Sequence, residues 1–380
     1  MRLCATNVRR VIYFTTAVSA VACSGMSSEP SLDTPGMLWS QSDDAGARML
    51  PYADADVAVF ATNTGARVRA FDASTGAPRW TQSVSGGPGE FDLPFASITG
   101  AGELVLVPAW RLYALDRKTG AVRWTFETTD EYPAASNLAI DGDIVISPGS
   151  LRRLYAVSLA TGQKLWERDL GARPFSPIVG SGIAYLVSRD VDQTPGGSGF
   201  LGAAHALAIR TSTGEVVWQT NLPDALPWRG GSSNPGALTA ESYLVASTNG
   251  RVYAFDRRTG ATTWEYAGPN PFASGVALLG SVAVVGAANG DLIGLDISTG
   301  VERWKVSGKT GSVTEQITAD GTCAYISLGT AKCIDATGRI RWTIGGYQGG
   351  GPSFSTPTRA ADDRLFAGSE TGFHSFSRTR

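Results

Sequence analysis

Histidine, cysteine and charge are all scarce in this chain. Only His205 and His374 are histidines among 380 residues, and only four residues are cysteine. Two imidazoles exclude a His-rich metal centre and any mechanism that needs several histidine acid–base groups. Charged residues make up 17% of the chain, below the ~25% of an average soluble domain. A formal net charge of −2 provides no bulk attraction to nucleic acid. What is present points elsewhere. Apolar residues at 43% exclude wholesale disorder, and 46 glycines with 10 tryptophans suit many short strands and tight turns rather than long surface helices.

The first residues read as an address. Arg2, Arg9 and Arg10 precede an apolar run at 11–22 that is too short for a comfortable transmembrane helix. Ala20-Val21-Ala22-Cys23 resembles a bacterial lipoprotein lipobox, which implies cleavage before Cys23 and lipid attachment there. An ordinary signal peptide with an incidental cysteine is the other reading. Arg9-Arg10 hints at twin-arginine export, and Ser24 after the lipidated position resembles outer-membrane sorting. Cleavage removes three of the 32 basic residues, so 29 remain against 34 acids and the mature charge is −5. Residues 23–36 are polar, without apolar periodicity, and read as a flexible tether behind a signal peptide at 1–22.

A repeat occupies the rest. Val68-Arg-Ala-Phe-Asp-Ala-Ser-Thr-Gly76-Ala-Pro-Arg-Trp80 returns as Leu112-Tyr-Ala-Leu-Asp-Arg-Lys-Thr-Gly120-Ala-Val-Arg-Trp124, and again up to Gly162 and Trp166. Later copies end in Trp218, Trp264, Trp304 and Trp342, each four residues after glycine. Alternating apolar residues before the turn make a period-two strand. Asp72, Asp116, Asp256 and Asp296 supply carboxylates that accept turn N–H groups, glycine supplies the positive φ, and the chain reverses into a strand carrying Trp. Two further strand-like runs precede each hairpin, so one unit is a four-stranded meander. Radial packing covers both faces of such sheets, with Trp as the filler between them.

Counting completes the architecture. The chain continues past Trp342 with strands but no final Trp strand, while residues 37–40 form an orphan Trp strand around Trp39. Joining the two gives an all-β, single eight-bladed β-propeller of four-stranded antiparallel blades at 37–380, with about 43 residues per blade. Cys323 and Cys333 fall on neighbouring strands of one hairpin. An oxidising compartment makes a cross-strand disulfide available to them, and adjacency without a bond is the alternative.

The Asp-x-x-Thr-Gly-x-x-x-Trp unit resembles the tryptophan-docking repeat of the PQQ-dehydrogenase-like superfamily. One branch holds quinoprotein dehydrogenases; another holds eight-bladed lipoproteins of the BamB type, scaffolds in outer-membrane β-barrel assembly. Lipobox, tether and single propeller resemble the second. The dehydrogenases often hold PQQ over adjacent bonded cysteines with Ca²⁺ beside it, and this chain has no Cys-Cys pair. Asp190 and Asp192 have loop-like Ca²⁺ spacing but fall short of the 6–8 oxygens required, so they read as a solvated polar loop.

In a radial meander the d–a and b–c connections share one face, and the a–b and c–d turns share the other. Long segments at 86–93, 127–135, 189–201, 223–235 and 345–352 all belong to the first face. So do Trp110, Arg111, Tyr132, Phe200, Trp228, Arg229 and Tyr347. Aromatics and arginines on long loops are the usual anchors of a binding surface. Leu226-Pro-Trp228-Arg229-Gly230 resembles the Leu-x-Leu-Arg-Gly loop with which BamB-type scaffolds engage their barrel-assembly partner, which makes Leu226, Trp228 and Arg229 contact residues.

The expectation is a monomeric, non-enzymatic outer-membrane lipoprotein that faces the periplasm and binds another envelope protein, with the β-barrel assembly machinery as the candidate. It needs no cofactor and touches no nucleic acid. The rivals are a propeller that stacks a small molecule or glycan on Trp110, Trp228 or Tyr347, and a PQQ- and Ca²⁺-dependent dehydrogenase.

Overall fold

Strand patterning decides the fold, because every second residue of the inner strands is apolar on each side. The computed structural model describes residues 35–47, 50–62, 66–84, 97–109, 111–127, 136–191, 200–222, 236–272, 274–307, 317–327, 330–345 and 359–377. These lie in one compact unit, Asp33–Arg380. They form eight four-stranded antiparallel sheets and no helix.

Blades 1 to 7 occupy residues 52–83, 99–126, 139–169, 172–222, 237–267, 277–306 and 318–344. Blade 8 takes three strands from 359–377 and its fourth from the N-terminal strand Met37–Ser42. We label the strands of each blade a to d. The a strands of neighbouring blades meet, which sets them at the ring axis and the d strands at the rim. Blade 8 is closed in antiparallel register, with Trp39 opposite Ser375, Ser40 opposite His374 and Ser42 opposite Gly372.

Period-two alternation gives each strand two core faces. In Val57–Ala61, Val57, Val59 and Ala61 point into the cluster shared with blade 2, whereas Ala58 and Phe60 point into the cluster shared with blade 8. The described core is therefore a ring of interfaces between blades. The blade 8–blade 1 interface is rich in aromatics, with Phe60 and Phe373 at 4.8 Å and Phe71 and Phe373 at 5.3 Å between ring centroids. Trp39 packs there with Phe71 and Phe366, each at 6.0 Å. Aromatic area, ~150–250 Å² per side chain, adds hold beside the c–d junction of blade 8, which no covalent turn closes.

Each Trp docks on the next blade. The indole N–H groups of Trp39, Trp80, Trp124, Trp166, Trp218, Trp264 and Trp304 donate to the carbonyls of Ala73, Arg117, Leu159, Thr211, Arg257, Ile297 and Ala336 at 2.8–3.1 Å. For Trp342 the matching position is Arg378, outside the described residues. Beneath each ring lies the turn glycine of that next blade. A Cβ on any of the seven, from Gly76 to Gly338, would come within 2.4–2.9 Å of the indole, and their φ values run from 72° to 83°. Glycine is required twice over here, by the backbone and by the neighbour.

The turn aspartates act as expected. Asp72 Oδ1 accepts from the N–H groups of Ser74 and Thr75 at 3.0 and 2.9 Å, and Asp116, Asp256 and Asp296 repeat the pattern. Hydrogen bonds from Ser74 and then Arg79 hold the Asp72 carboxyl well below the usual carboxylate range. An arginine just before Trp closes several of these turns: Arg79 bonds Asp72 at 2.8 Å and Arg123 bonds Asp116 at 2.5 Å.

Cys323 and Cys333 form a disulfide, buried between blades 7 and 8 beside Trp342, Tyr325 and Phe376. One expectation needs correction. Residues 189–201 are not one loop: Ile183–Val191 and Phe200–Arg210 are paired strands, with Val191 opposite Phe200. The alternating Ala184, Leu186 and the apolar Leu207, Ile209 seat both strands against blade 3, and the ladder carries on beyond the ring's usual height.

Candidate partner-binding face

The d–a and b–c connections leave from one end of every blade, and all the long ones lie there. The opposite end is made of short turns tied across blades. Arg117 of blade 2 pairs with Asp54 of blade 1, Thr211 Oγ1 of blade 4 donates to Asp141 of blade 3 at 2.5 Å, and the Tyr185 hydroxyl of blade 4 donates to the carbonyl of Arg257 of blade 5 at 3.3 Å. A face so fully bonded to itself is structural.

Several expected site residues fall outside the described residues: Cys23, Trp110, Leu226, Trp228, Arg229 and Tyr347, together with Tyr132 and Asp192. Arg111 is described. It sits in the b–c turn of blade 2, and its Nε pairs with Glu127 Oε1 at 2.5 Å, across the foot of the d–a connection. Similar pairs line the same rim. Arg152 Nε donates to both Asp169 oxygens at 2.8 Å in blade 3, and Lys305 pairs with the buried Asp291 at 2.8 Å in blade 6. Near the axis, the buried Asn137 accepts from Ser97 N at 2.9 Å, and Ser136 Oγ accepts from Ser176 N at 2.8 Å. Blades 2, 3 and 4 are thereby joined at the root of their loops.

Blade 4 departs from its neighbours. Its strands run nine, nine, eleven and seven residues, Ala172–Gly180, Ile183–Val191, Phe200–Arg210 and Val216–Leu222. Elsewhere the described strands run from two to six residues. On its extension one polar row crosses three strands: Asp190 Oδ1 lies 3.1 Å from His205 Nε2, and His205 Nδ1 lies 2.9 Å from Asn221 Oδ1. Asp190 is thus not in a solvated loop. It is a strand residue opposite Ala172, with an imidazole as partner. Burial pulls the neighbouring Arg189 guanidinium below its ordinary value. Val216–Leu222 leads straight into residues 223–235, so this row stands at the foot of the segment holding Leu226, Trp228 and Arg229. The row was legible only indirectly, as the 52-residue spacing from Trp166 to Trp218 against about 40 elsewhere.

His374 is used for closure. It is buried in strand c of blade 8, with Nε2 2.7 Å from Ser369 Oγ and Nδ1 3.1 Å from Ser40 Oγ on the N-terminal strand. Burial lowers its pKa to about 4, so the imidazole is neutral at pH 7.

The described residues do not supply a cation site of the quinoprotein kind. Among them, no three His, Cys, Asp or Glu side chains converge to hold a metal ion, and Asp190 is engaged by His205.

Fold and repeat together define the class, an eight-bladed propeller of PQQ-type repeats with tryptophan docking between blades. The chain matches the family described as outer membrane protein assembly factor BamB over residues 31–189 and 202–372, and it belongs to that family. Among solved structures it is similar to BamB from Moraxella catarrhalis, with 21% identity, TM-score 0.57, and coverage of 78% of this chain and 84% of that one. It is also similar to a europium-containing methanol dehydrogenase, with 14% identity, TM-score 0.68, and coverage of 89% and 85%. These two likenesses concern the fold alone. A tetrathionate hydrolase from Acidithiobacillus ferrooxidans is 25% identical over 163 residues, which span 40% of this chain and only 30% of that relative's length.

Proposed function

We propose that the protein is a lipid-anchored, periplasm-facing scaffold without catalytic activity, which binds another envelope protein through its loop-rich face. The observation that carries this is the asymmetry of the ring. One face is closed by self-bonded turns such as Arg117–Asp54. From the other leave the d–a and b–c connections and the extended strands of blade 4, and it is the face to which the aromatic and arginine residues named from sequence are assigned. Long loops held on a rigid scaffold are where functional residues concentrate, which makes this face the one to meet a partner. Membership of an outer-membrane assembly family supports an envelope partner, and the β-barrel assembly machinery is the one proposed.

In this reading Cys23 carries the lipid. Leu226, Trp228 and Arg229 form the central contact, with Trp110, Arg111 and Tyr347 around it. Crosslinking in intact envelopes, followed by identification of captured proteins, tests it. A Trp228→Ala/Arg229→Ala double variant is expected to lose the dominant adduct while the protein stays folded and anchored. Unchanged recovery of every adduct would remove this face from the account.

A further inference from the structure

The point at which the tether joins the ring gives the molecule an orientation. Strand c of blade 8 runs from the loop-rich face to the turn-rich face and ends at Ser377; the N-terminal strand starts beside it. Two hydrogen bonds pin this junction, Gly36 N to Ser377 Oγ at 3.1 Å and Ser377 N to Gly36 O at 2.8 Å. Met37 then pairs with Phe376, while Ser42, at the other end of the strand, pairs with Gly372 beside the b–c turn. The chain therefore leaves the ring from the turn-rich face, opposite the loops.

Reach makes this matter. Thirteen residues, 24–36, separate Cys23 from Met37. Fully extended they span at most ~45 Å. As a flexible coil their mean end-to-end distance is about 20 Å. The strand Met37–Ser42 is itself ~20 Å tall before any loop is added. To lay the loop-rich face on the bilayer, the tether would spend its whole mean length climbing the outside of blade 8. With the turn-rich face toward the bilayer it spends none. Met37 and Leu38, 53% and 49% exposed, stand at that junction as the first apolar side chains of the ring's N-terminal strand.

We propose that the turn-rich face is the membrane-proximal face, and that the tether holds the loop-rich face away from the bilayer, toward partners in the aqueous compartment. This rests on the reading of Cys23 as the lipidated residue. The occupant of the turn-rich side is the phospholipid surface from which the tether rises.

The test uses the full lipidated protein in phosphatidylethanolamine/phosphatidylglycerol vesicles doped with a rhodamine-labelled lipid acceptor. A donor dye is placed on Asp363→Cys, in the exposed a–b turn of blade 8, or on Glu370→Cys, in the exposed b–c turn of the same blade. Only the strand Arg364–Ser369 separates the two. The bridged Cys323 and Cys333 offer no thiol to the label. Greater loss of donor intensity from 363 than from 370 is expected, and a Gly-Ser insertion after Ser31 is expected to shrink the difference. Equal losses, or the reverse order, overturn the orientation. An unchanged asymmetry in Cys23→Ser, which lacks the anchor, assigns the orientation to the face itself and overturns the tether argument. No transfer from either site, with no lipid mass on the N-terminal peptide, removes the anchor and the orientation with it.

Discussion

Trp39 and Gly76 meet where the closing strand of blade 8 packs on blade 1: a Cβ on Gly76 would sit 2.7 Å from both Cγ and Cδ2 of the indole, while Trp39 Nε1 donates to Ala73 O at 3.0 Å. One tryptophan thus reads both the backbone shape and the free carbonyl of the neighbouring turn. Six further pairs repeat the arrangement. The repeat is a docking device, with the plug in one blade and its socket in the next.

Gly300→Ala tests the socket. A methyl there meets Trp264 Cε3 at 2.4 Å on a backbone of φ 72°. Left-handed strain and overpacking together are expected to cost about 2–4 kcal/mol. Gly142→Ala is the control, because its φ is 59° and nothing lies within 4 Å of the added methyl. It is expected to cost only the strain, roughly 1 kcal/mol. Urea denaturation of the two variants separates the contributions.

Trp39→Ala tests the plug at the non-covalent seam. Loss of a buried aromatic in contact with Phe60, Phe71 and Phe366 is expected to cost about 3–5 kcal/mol. Limited proteolysis is expected to cut first within Met37–Ser42, since that strand alone is held in its blade without a turn. Cleavage elsewhere first would refute the placing of the weak point.

Acid is expected to loosen the same seam. Burial lowers the His374 pKa from its ordinary 6.5 to about 4. Between those values the unfolded chain binds a proton that the native one refuses, so stability is full above pH ~6.5 and falls as pH drops toward 4. The loss approaches roughly 3 kcal/mol. His374→Gln is expected to flatten the profile in that window. The Asp72, Asp116 and Asp296 carboxyls, held below the usual range first by hydrogen bonds from Ser74, Arg123 and Ser298 respectively, lose their stabilisation only at lower pH.

The Cys323–Cys333 bond closes a loop of ten residues at the blade 7–blade 8 interface. A Cys323→Ala/Cys333→Ala variant is expected to lose about 2–3 kcal/mol by the chain-entropy relation. A thiol count on denatured, unreduced mature protein should find neither thiol free. Two free thiols would contradict the bond.

Much of the ring was legible because its signals are local. A turn aspartate, a positive-φ glycine and a tryptophan four residues later specify one hairpin by short-range hydrogen bonds and sterics, as the Asp72 turn shows. The arginine before Trp was equally visible at Arg79 and Arg123, but its role appears only when the turn brings Asp72 and Asp116 back to it. Blade 4 misled, since 189–201 read as one long connection with loop-like spacing of Asp190 and Asp192, while the ladder around Asp190 and His205 depends on strands fifteen residues apart.

The repeat by itself determined the number of blades, the strand order within each and the need for Trp39 to complete the last, because periodicity and turn chemistry act within a few residues. Only the tertiary structure decided what those parts do to one another. The indole stacks on the following blade rather than its own, His374 bridges Ser369 and the N-terminal Ser40, and the chain leaves the ring on the face opposite its loops. These are contacts between residues up to 341 apart, and no local pattern encodes them. They exist because a closed ring must satisfy, across its seam, the groups that a covalent turn satisfies everywhere else.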